Sequence, residues 1–154
     1  LSLCRTFGAE ATVCLDDYPQ PQARIDAVLE LVGGFGADLV VDCSGHPSAG
    51  PEGIEMLRDG GTYVEMGQFT DAGSIDTNWH RICTKDIILL GSWGLRSDDM
   101  PLGISLLDRT RDRYPWDQMQ TLFPFSEEGI NDATQTALAM QSIKSTIVPN
   151  QNIA

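Results

Sequence analysis

The stretch from Gly36 to Gly45, Gly-Ala-Asp-Leu-Val-Val-Asp-Cys-Ser-Gly, decides the fold class of this chain. Its centre, residues 38–42, is a short apolar run between two aspartates, typical of a strand buried on both faces of a parallel sheet. Just upstream, four apolar residues recur at helical spacing: Ile25, Val28, Leu29 and Val32. Gly33-Gly34 ends that predicted helix. A helix leading into a buried strand indicates an α/β fold.

The same alternation continues along the rest of the chain. Further strands are predicted at residues 11–15, 62–66, 87–90 and 145–148. Further helices are predicted from Pro51 to Gly60-Gly61, around Met100, Ile104 and Leu107, and after the capping residue Ser126, with Ile130, Ala133, Ala137 and Met140 on its buried face. Alternating strands and helices require crossover connections, so the sequence predicts a doubly wound parallel sheet.

Small residues follow three successive predicted strands: Cys43-Ser44-Gly45, Gly67-Gln68 and Gly91-Ser92. Ligands of doubly wound sheets bind outside the carboxyl ends of the strands, where glycines let the backbone approach a ligand closely. The alternative is that these residues only form tight turns. Spacing does not decide between the two, and it names no ligand.

Composition and charge exclude several classes of protein. The 154 residues carry a formal net charge of −12, which would repel nucleic acid or an anionic membrane. No apolar run approaches the roughly 20 residues of a membrane-spanning helix. The four cysteines lie far apart, as expected for reduced thiols of a cytoplasmic protein, and they predict no metal site. The sequence begins at Leu1, with neither an initiator methionine nor a leader pattern, and we therefore expect further sequence upstream.

Other polar residues that could carry chemistry have simpler interpretations. His80, beside Trp79, is expected in a surface or packing role, and His46 is expected in a loop. The adjacent carboxylates Asp16-Asp17 and Asp98-Asp99 are expected in loops or at helix starts, not as an acid–base pair.

Several segments, taken in order, resemble the medium-chain, zinc-type alcohol dehydrogenases. They are Phe7-Gly8-Ala9, the stretch from Gly36 to Gly45, Leu57-Arg-Asp-Gly-Gly61, Tyr63-Val-Glu-Met-Gly67, Leu122-Phe-Pro-Phe125 and Ile143-Lys-Ser-Thr-Ile-Val-Pro149. The resemblance covers residues 1–149 and leaves residues 150–154 as a short tail.

This resemblance implies a partial NAD(P)-binding domain of the Rossmann type. The family's GroES-like domain, its zinc ligands and its G-x-G-x-x-G turn have no counterpart here, so the chain is expected to be a C-terminal cofactor-domain fragment that starts after the second strand. In the family's strand order 3-2-1-4-5-6, residues 11–15 then lose their neighbour and residues 38–42 present an apolar edge. We expect marginal stability from a chain with such unpaired edges.

The resemblance also implies which residues contact the cofactor. Cys43, Ser44 and Gly45 match the turn beside the cofactor ribose. Met66, Gly67 and Gln68 match the turn that receives the nicotinamide carboxamide, and Ser92, Trp93 and Gly94 match the next strand end, on the same ring. Lys144 matches a basic position that reaches the pyrophosphate. The alternative is that Lys144 is a solvated lysine at a helix end, where its charge suits the helix dipole. Trp93 is bulkier than is usual there, so core or interface packing is the alternative.

The resemblance implies an NAD- or NADP-dependent oxidoreductase of alcohols or carbonyls, with zinc bound elsewhere in the intact protein. The alternatives are a zinc-free quinone or enoyl reductase of the same superfamily, a methyltransferase, and a nucleotide-binding remnant without activity. The apolar run from Ile87 to Leu90 would lie at the sheet edge. In the family this strand pairs with its copy in a second subunit, so a homodimer or homotetramer is implied.

Overall fold

The computed structural model describes residues 1–149 and confirms the α/β class with parallel strands. In chain order the elements are α1 (Ser2–Thr6), α2 (Pro21–Leu31), β1 (Ala37–Asp42), α3 (Ala49–Met56), β2 (Leu57–Glu65), α4 (Trp79–Thr84), β3 (Ile88–Gly91), α5 (Asp99–Thr110), a 3-10 turn (Trp116–Met119), β4 (Gln120–Pro124), α6 (Glu127–Leu138) and β5 (Lys144–Val148). Two compact units result, one of residues 11–96 and one of residues 1–10 with those from 97 onward. The predicted tail, 150–154, lies outside the described residues.

The unit of residues 11–96 is built on a three-stranded parallel sheet in the order β1-β2-β3. Val40 pairs with Tyr63, which pairs with Leu89 in the next strand. Paired residues of parallel strands point to the same face, so these three side chains share one side of the sheet. The strands predicted at 38–42, 62–66 and 87–90 are confirmed, although β2 begins five residues earlier than predicted.

Helix α3 covers that face and encloses the core. Leu57 and Tyr63 are each 1% exposed, and Ile54 packs with them. A Cβ on Gly53 would lie 2.5 Å from Cε2 of Tyr63 and 3.1 Å from Val40. The helix therefore approaches the sheet closely because residue 53 has no side chain.

The opposite face of β1 is open, so burial on both faces was a wrong prediction. Leu39 is 55% exposed and Val41 is 47% exposed, whereas Asp42 is buried. Alternate side chains of a strand point to opposite faces, and α3 covers only the face of Val40. An apolar run indicates that a strand can be buried, but it does not show which helix or strand packs against each face.

Helix α3 ends earlier than predicted, at Met56 instead of at Gly60-Gly61. Leu57 is already extended at ψ 148°, and both glycines lie in β2. The Nζ of buried Lys85 donates to the carbonyls of Ile54 at 2.9 Å and Glu55 at 3.1 Å. A lysine thus satisfies the carbonyls at the helix end.

Residues 11–15 do not form the predicted strand. They are irregular and lead into a turn in which the Asp17 N–H donates to the carbonyl of Cys14. A strand requires a neighbour to satisfy its backbone groups, and none of the described strands pairs with this segment.

In the other unit, β4 and β5 pair in parallel and α6 packs against both. The cap is confirmed, since Ser126 Oγ accepts the Gly129 N–H at 3.0 Å. The predicted buried face is partly wrong: Ala133 is buried, but Ile130 is 43% and Met140 is 89% exposed. Gly129 rests on Pro124, so the helix meets the sheet through its small residues. The closing strand at 145–148 is confirmed as β5, whereas α1, α4 and β4 were not predicted.

None of the helices among residues 1–149 is long and apolar enough to cross a membrane.

Candidate functional site

Three turns follow the carboxyl ends of β1, β2 and β3, and backbone hydrogen bonds bring them together. The Met66 N–H donates to the carbonyl of Asp42 at 3.1 Å. The Ser92 N–H donates to the carbonyl of Glu65 at 2.9 Å. Nine of the ten predicted cofactor residues therefore lie at one edge of one sheet: Cys43, Ser44, Gly45, Met66, Gly67, Gln68, Ser92, Trp93 and Gly94.

The turns after β1 and β2 pack directly against each other. A Cβ on Gly67 would lie 2.7 Å from the nitrogen of Gly45 and 2.8 Å from that of Ser44. Gly45 itself has φ +70°, in the region that favours glycine. Close packing between two turns thus accounts for both glycines, and Cys43, Ser44 and Met66 remain exposed beside them.

Asp42 is a buried carboxylate that organises the turn after β1. Its Oδ1 accepts the Ser44 N–H at 2.7 Å, and its Oδ2 accepts the Tyr63 hydroxyl at 3.1 Å. Burial acts to raise the pKa of Asp42, but hydrogen bonds, chiefly from Ser44 and also from Tyr63, outweigh it and hold that pKa below its ordinary value. Asp42 is therefore an anion at neutral pH.

Glu65 organises the turn after β2 in the same way. Its Oε1 accepts the N–H groups of Gly67 at 2.9 Å and Gln68 at 3.1 Å. Its Oε2 lies 3.4 Å from the Tyr63 hydroxyl. One phenol oxygen thus stands between two carboxylates, each of which holds a different turn.

Tyr63 is fixed in the core below these turns. Burial raises the pKa of Tyr63 far above its ordinary value, and the charges of Asp42 and Glu65 raise it further. The hydroxyl is therefore a permanent hydrogen-bond donor. Sequence reasoning missed this group of three residues, although a signal was present: two consecutive strands each end in a carboxylate, Asp42 and Glu65, with a glycine two or three residues further on.

A cleft of about 440 Å³ opens beside the turns, between Pro47, Gln68 and Trp93. The rings of Phe69 and Trp93 stack along it with centroids 4.9 Å apart. Trp93 is 72% exposed, so packing in the core is wrong for this residue, whereas packing at an interface stays a prediction. A smaller recess of about 260 Å³ is lined by Met66, Ser92 and Trp93 among others. The edge therefore offers an aromatic wall beside backbone groups.

The tenth predicted residue, Lys144, belongs to the other unit. It is exposed and is the first residue of β5. Because it begins a strand, the interpretation as a helix-end lysine is wrong.

The remaining polar residues occupy the simple positions expected of them. His46 lies in the turn before α3, where its Nδ1 is 2.9 Å from Ser48 Oγ. His80 is exposed near the start of α4. Asp98 and Asp99 stand at the start of α5, and Asp16-Asp17 lie in an exposed turn.

Residues 1–149 contain no group of three or more His, Cys, Asp or Glu side chains placed to hold a metal ion. The four cysteines are unpaired with one another, and three of them are exposed. This part of the chain therefore does not fit a zinc centre.

Comparison with curated proteins finds alcohol and polyol dehydrogenases. The chain is 31% identical to an erythritol/L-threitol dehydrogenase of Mycolicibacterium smegmatis over 153 residues, which are 97% of this chain and 39% of that protein. It is 36% identical to a sorbitol dehydrogenase of Halalkalibacterium halodurans over 98 residues, 62% of this chain and 28% of that protein. The chain therefore spans less than two fifths of either relative.

Solved structures share the fold. An alcohol dehydrogenase from Thermotoga maritima matches with a TM-score of 0.80 and 21% identity, over 97% of this chain and 40% of that one. A zinc-binding domain protein of the alcohol dehydrogenase type from Burkholderia ambifaria matches with a TM-score of 0.79 and 22% identity, over 97% and 39%. The sequence family model described as zinc-binding dehydrogenase matches residues 1–109. The chain belongs to the zinc-binding dehydrogenase family.

Proposed function

We propose that this chain forms the cofactor side of an NAD(P)-dependent alcohol dehydrogenase. The observation that carries the proposal is the meeting of three strand-end turns beside a cleft, in a member of this family. Family membership decides against the methyltransferase alternative. When bound, the nicotinamide ring supplies the chemistry by accepting or donating a hydride.

In this proposal the three turns hold the nicotinamide half of the cofactor. Cys43, Ser44 and Gly45 bind the ribose, while Met66, Gly67 and Gln68 present backbone groups to the carboxamide. Ser92, Trp93 and Gly94 lie along the ring. The exposure of Ser44 and Met66 and the fixed geometry of their turns support this assignment. Lys144 is proposed to pair with the pyrophosphate, where a cation offsets phosphate charge.

The substrate class that we propose is a polyol or a related secondary alcohol. Two relatives are named for sorbitol and for erythritol or L-threitol, and this similarity is the support. Zinc would polarise the substrate oxygen in such an enzyme. A zinc-free reductase of the same superfamily is the second candidate function, and zinc chelation separates the two.

We also propose a homodimer or homotetramer formed through β3, in a reducing, cytoplasmic compartment. Ile88, Leu89 and Leu90 are each about half exposed in a strand that pairs with β2 on one side only among the described strands. An apolar strand with a free edge is stabilised by pairing with another strand. The four free thiols favour a reducing compartment.

The test is a dehydrogenase assay on the native protein, at the length that cells produce. Polyols and simple alcohols are offered with NAD+ or NADP+, and reduced nicotinamide is measured. We expect turnover of at least one polyol with one of the two cofactors. Loss of activity after zinc chelation, restored by zinc, supports the zinc enzyme, whereas activity on quinones or enoyl substrates that survives chelation supports the alternative.

A further inference from the structure

Tyr63 is the only described group whose side chain reaches both carboxylates that organise the predicted cofactor turns. Its ring packs against Gly53 of α3 and the residue is 1% exposed, so the core fixes the position of the hydroxyl. The hydroxyl lies 3.1 Å from Asp42 Oδ2 and 3.4 Å from Glu65 Oε2. The core of the unit is thereby connected to both turns through one oxygen atom.

Each carboxylate uses its other oxygen to hold backbone N–H groups. Asp42 Oδ1 accepts the Ser44 N–H, and Glu65 Oε1 accepts those of Gly67 and Gln68. The orientation of each turn therefore depends on the orientation of one carboxylate. We propose that Tyr63 is a positioning residue that holds Asp42 and Glu65, and through them the two turns, in the arrangement that binds the nicotinamide half of the cofactor.

The proposal depends on charge as well as on geometry. Asp42 Oδ2 and Glu65 Oε2 lie 3.1 Å and 3.4 Å from the same phenol oxygen, so both carboxylates lose the donor between them when the hydroxyl is removed. Repulsion between two partly buried carboxylates would turn at least one of them away, and its turn would move with it. A buried acceptor that loses its donor costs free energy, so removal of the hydroxyl destabilises the present arrangement of the two turns.

This inference rests on the proposed function, and the test separates the two. Binding of NADH and NADPH to the native protein is measured by titration, well below the unfolding temperature of each variant. We expect Tyr63→Phe to raise the dissociation constant of the cofactor about tenfold, the effect of one lost buried hydrogen bond. If the unmodified protein binds neither cofactor, the proposed function itself is wrong and this inference falls with it.

A matched control separates positioning from simple loss of stability. Ile54→Val removes a buried methylene from the same core cluster and touches neither carboxylate. It should lower the unfolding temperature without changing the dissociation constant. If Tyr63→Phe binds cofactor as well as Ile54→Val does, Tyr63 has only a structural role and the proposal is overturned.

A second substitution provides the rescue. In the double variant Tyr63→Phe with Glu65→Gln, the new amide can donate to Asp42 while its carbonyl still accepts from Gly67 and Gln68. We expect it to recover most of the lost affinity, and no recovery would contradict the proposal. Should Tyr63→Phe not fold, Glu65→Leu removes the acceptor of the second turn and leaves the bond from Tyr63 to Asp42 intact. Unchanged affinity in that variant would also overturn the inference.

Discussion

Asp42 links the pH dependence of folding to the proposed site. Its side chain is buried at the end of β1, and hydrogen bonds from Ser44 and Tyr63 stabilise its charged form. In the unfolded chain those bonds are absent and the carboxyl has its ordinary pKa of 3.8. Because the folded pKa is the lower of the two, Asp42 contributes stability above about pH 4 that is lost as the pH falls through the folded value.

We therefore predict that Asp42→Asn lowers the free energy of unfolding at pH 7 and flattens its decline below pH 4. Urea unfolding at a series of pH values measures both effects. Glu55→Gln is a useful comparison, because a hydrogen bond from Arg81 lowers the pKa of Glu55, but that pair is more exposed and its effect should be smaller. An equally steep acid decline in Asp42→Asn and in the unmodified protein would contradict this account.

At the level of elements, α3 packs closely on the sheet because Gly53 has no side chain. Gly53 and Gly50 lie in the same helix, but only a Cβ at position 53 would overlap the ring of Tyr63. The nearest atom to a Cβ at position 50 is the Tyr63 hydroxyl at 3.9 Å. The two glycines therefore separate the effect of packing from that of helix propensity.

We predict that Gly53→Ala destabilises the protein by about 1–3 kcal/mol, since the core must shift to admit the methyl group. Gly50→Ala should be neutral or stabilise by up to about 1 kcal/mol, because alanine favours the helix. Thermal or urea unfolding of the two variants provides the comparison. Equal stability of the pair would show that α3 does not pack on Tyr63 as described.

The helices and strands were predictable where the sequence signal is local. Gly33-Gly34 predicted the end of α2, Ser126 predicted the start of α6, and the apolar run at residues 38–42 predicted β1. Residues 11–15 and the end of α3 were not predictable, because a strand needs a neighbour and Lys85 caps α3 from 30 residues away. The placement of the three turns followed from topology, but the role of Tyr63 did not. Its alternation in β2 reveals only that it is buried, not that its hydroxyl reaches two carboxylates.

In the molecule as a whole, β3 presents an unpaired backbone edge among the described strands. The Ser92 N–H points toward β2, so by alternation Ile88 and Leu90 also face β2, while Leu89 and Gly91 face away. Proline at position 89 would remove an outward donor and leave the bonds to β2 in place.

We accordingly predict that Leu89→Pro shifts the protein from dimer toward monomer, whereas Leu89→Ala, which keeps the N–H, leaves more of the dimer. Sedimentation equilibrium of the two variants measures the difference. A dimer that is equally stable in both, or an unmodified protein that is monomeric at all concentrations, would contradict assembly through this edge.

Few large side chains are buried, and this bears on stability. Only Ile25, Ile54, Leu57, Tyr63 and Ala133 form the fully buried apolar core of the described residues. Leu39, Leu90 and many other apolar side chains are half exposed or more. The marginal stability of the isolated chain therefore stays a prediction. Burial of these exposed side chains against another protein surface would raise the stability.

Transfer of the hydride itself provides the most direct test of the proposed dehydrogenase function. The native protein is given NAD+ or NADP+ and a polyol such as sorbitol or erythritol carrying deuterium on its carbinol carbons, and the reduced cofactor is analysed by mass spectrometry. We expect one deuterium at C4 of the nicotinamide. Reduced cofactor without deuterium, or no reduction with any polyol or simple alcohol and either cofactor, would contradict it.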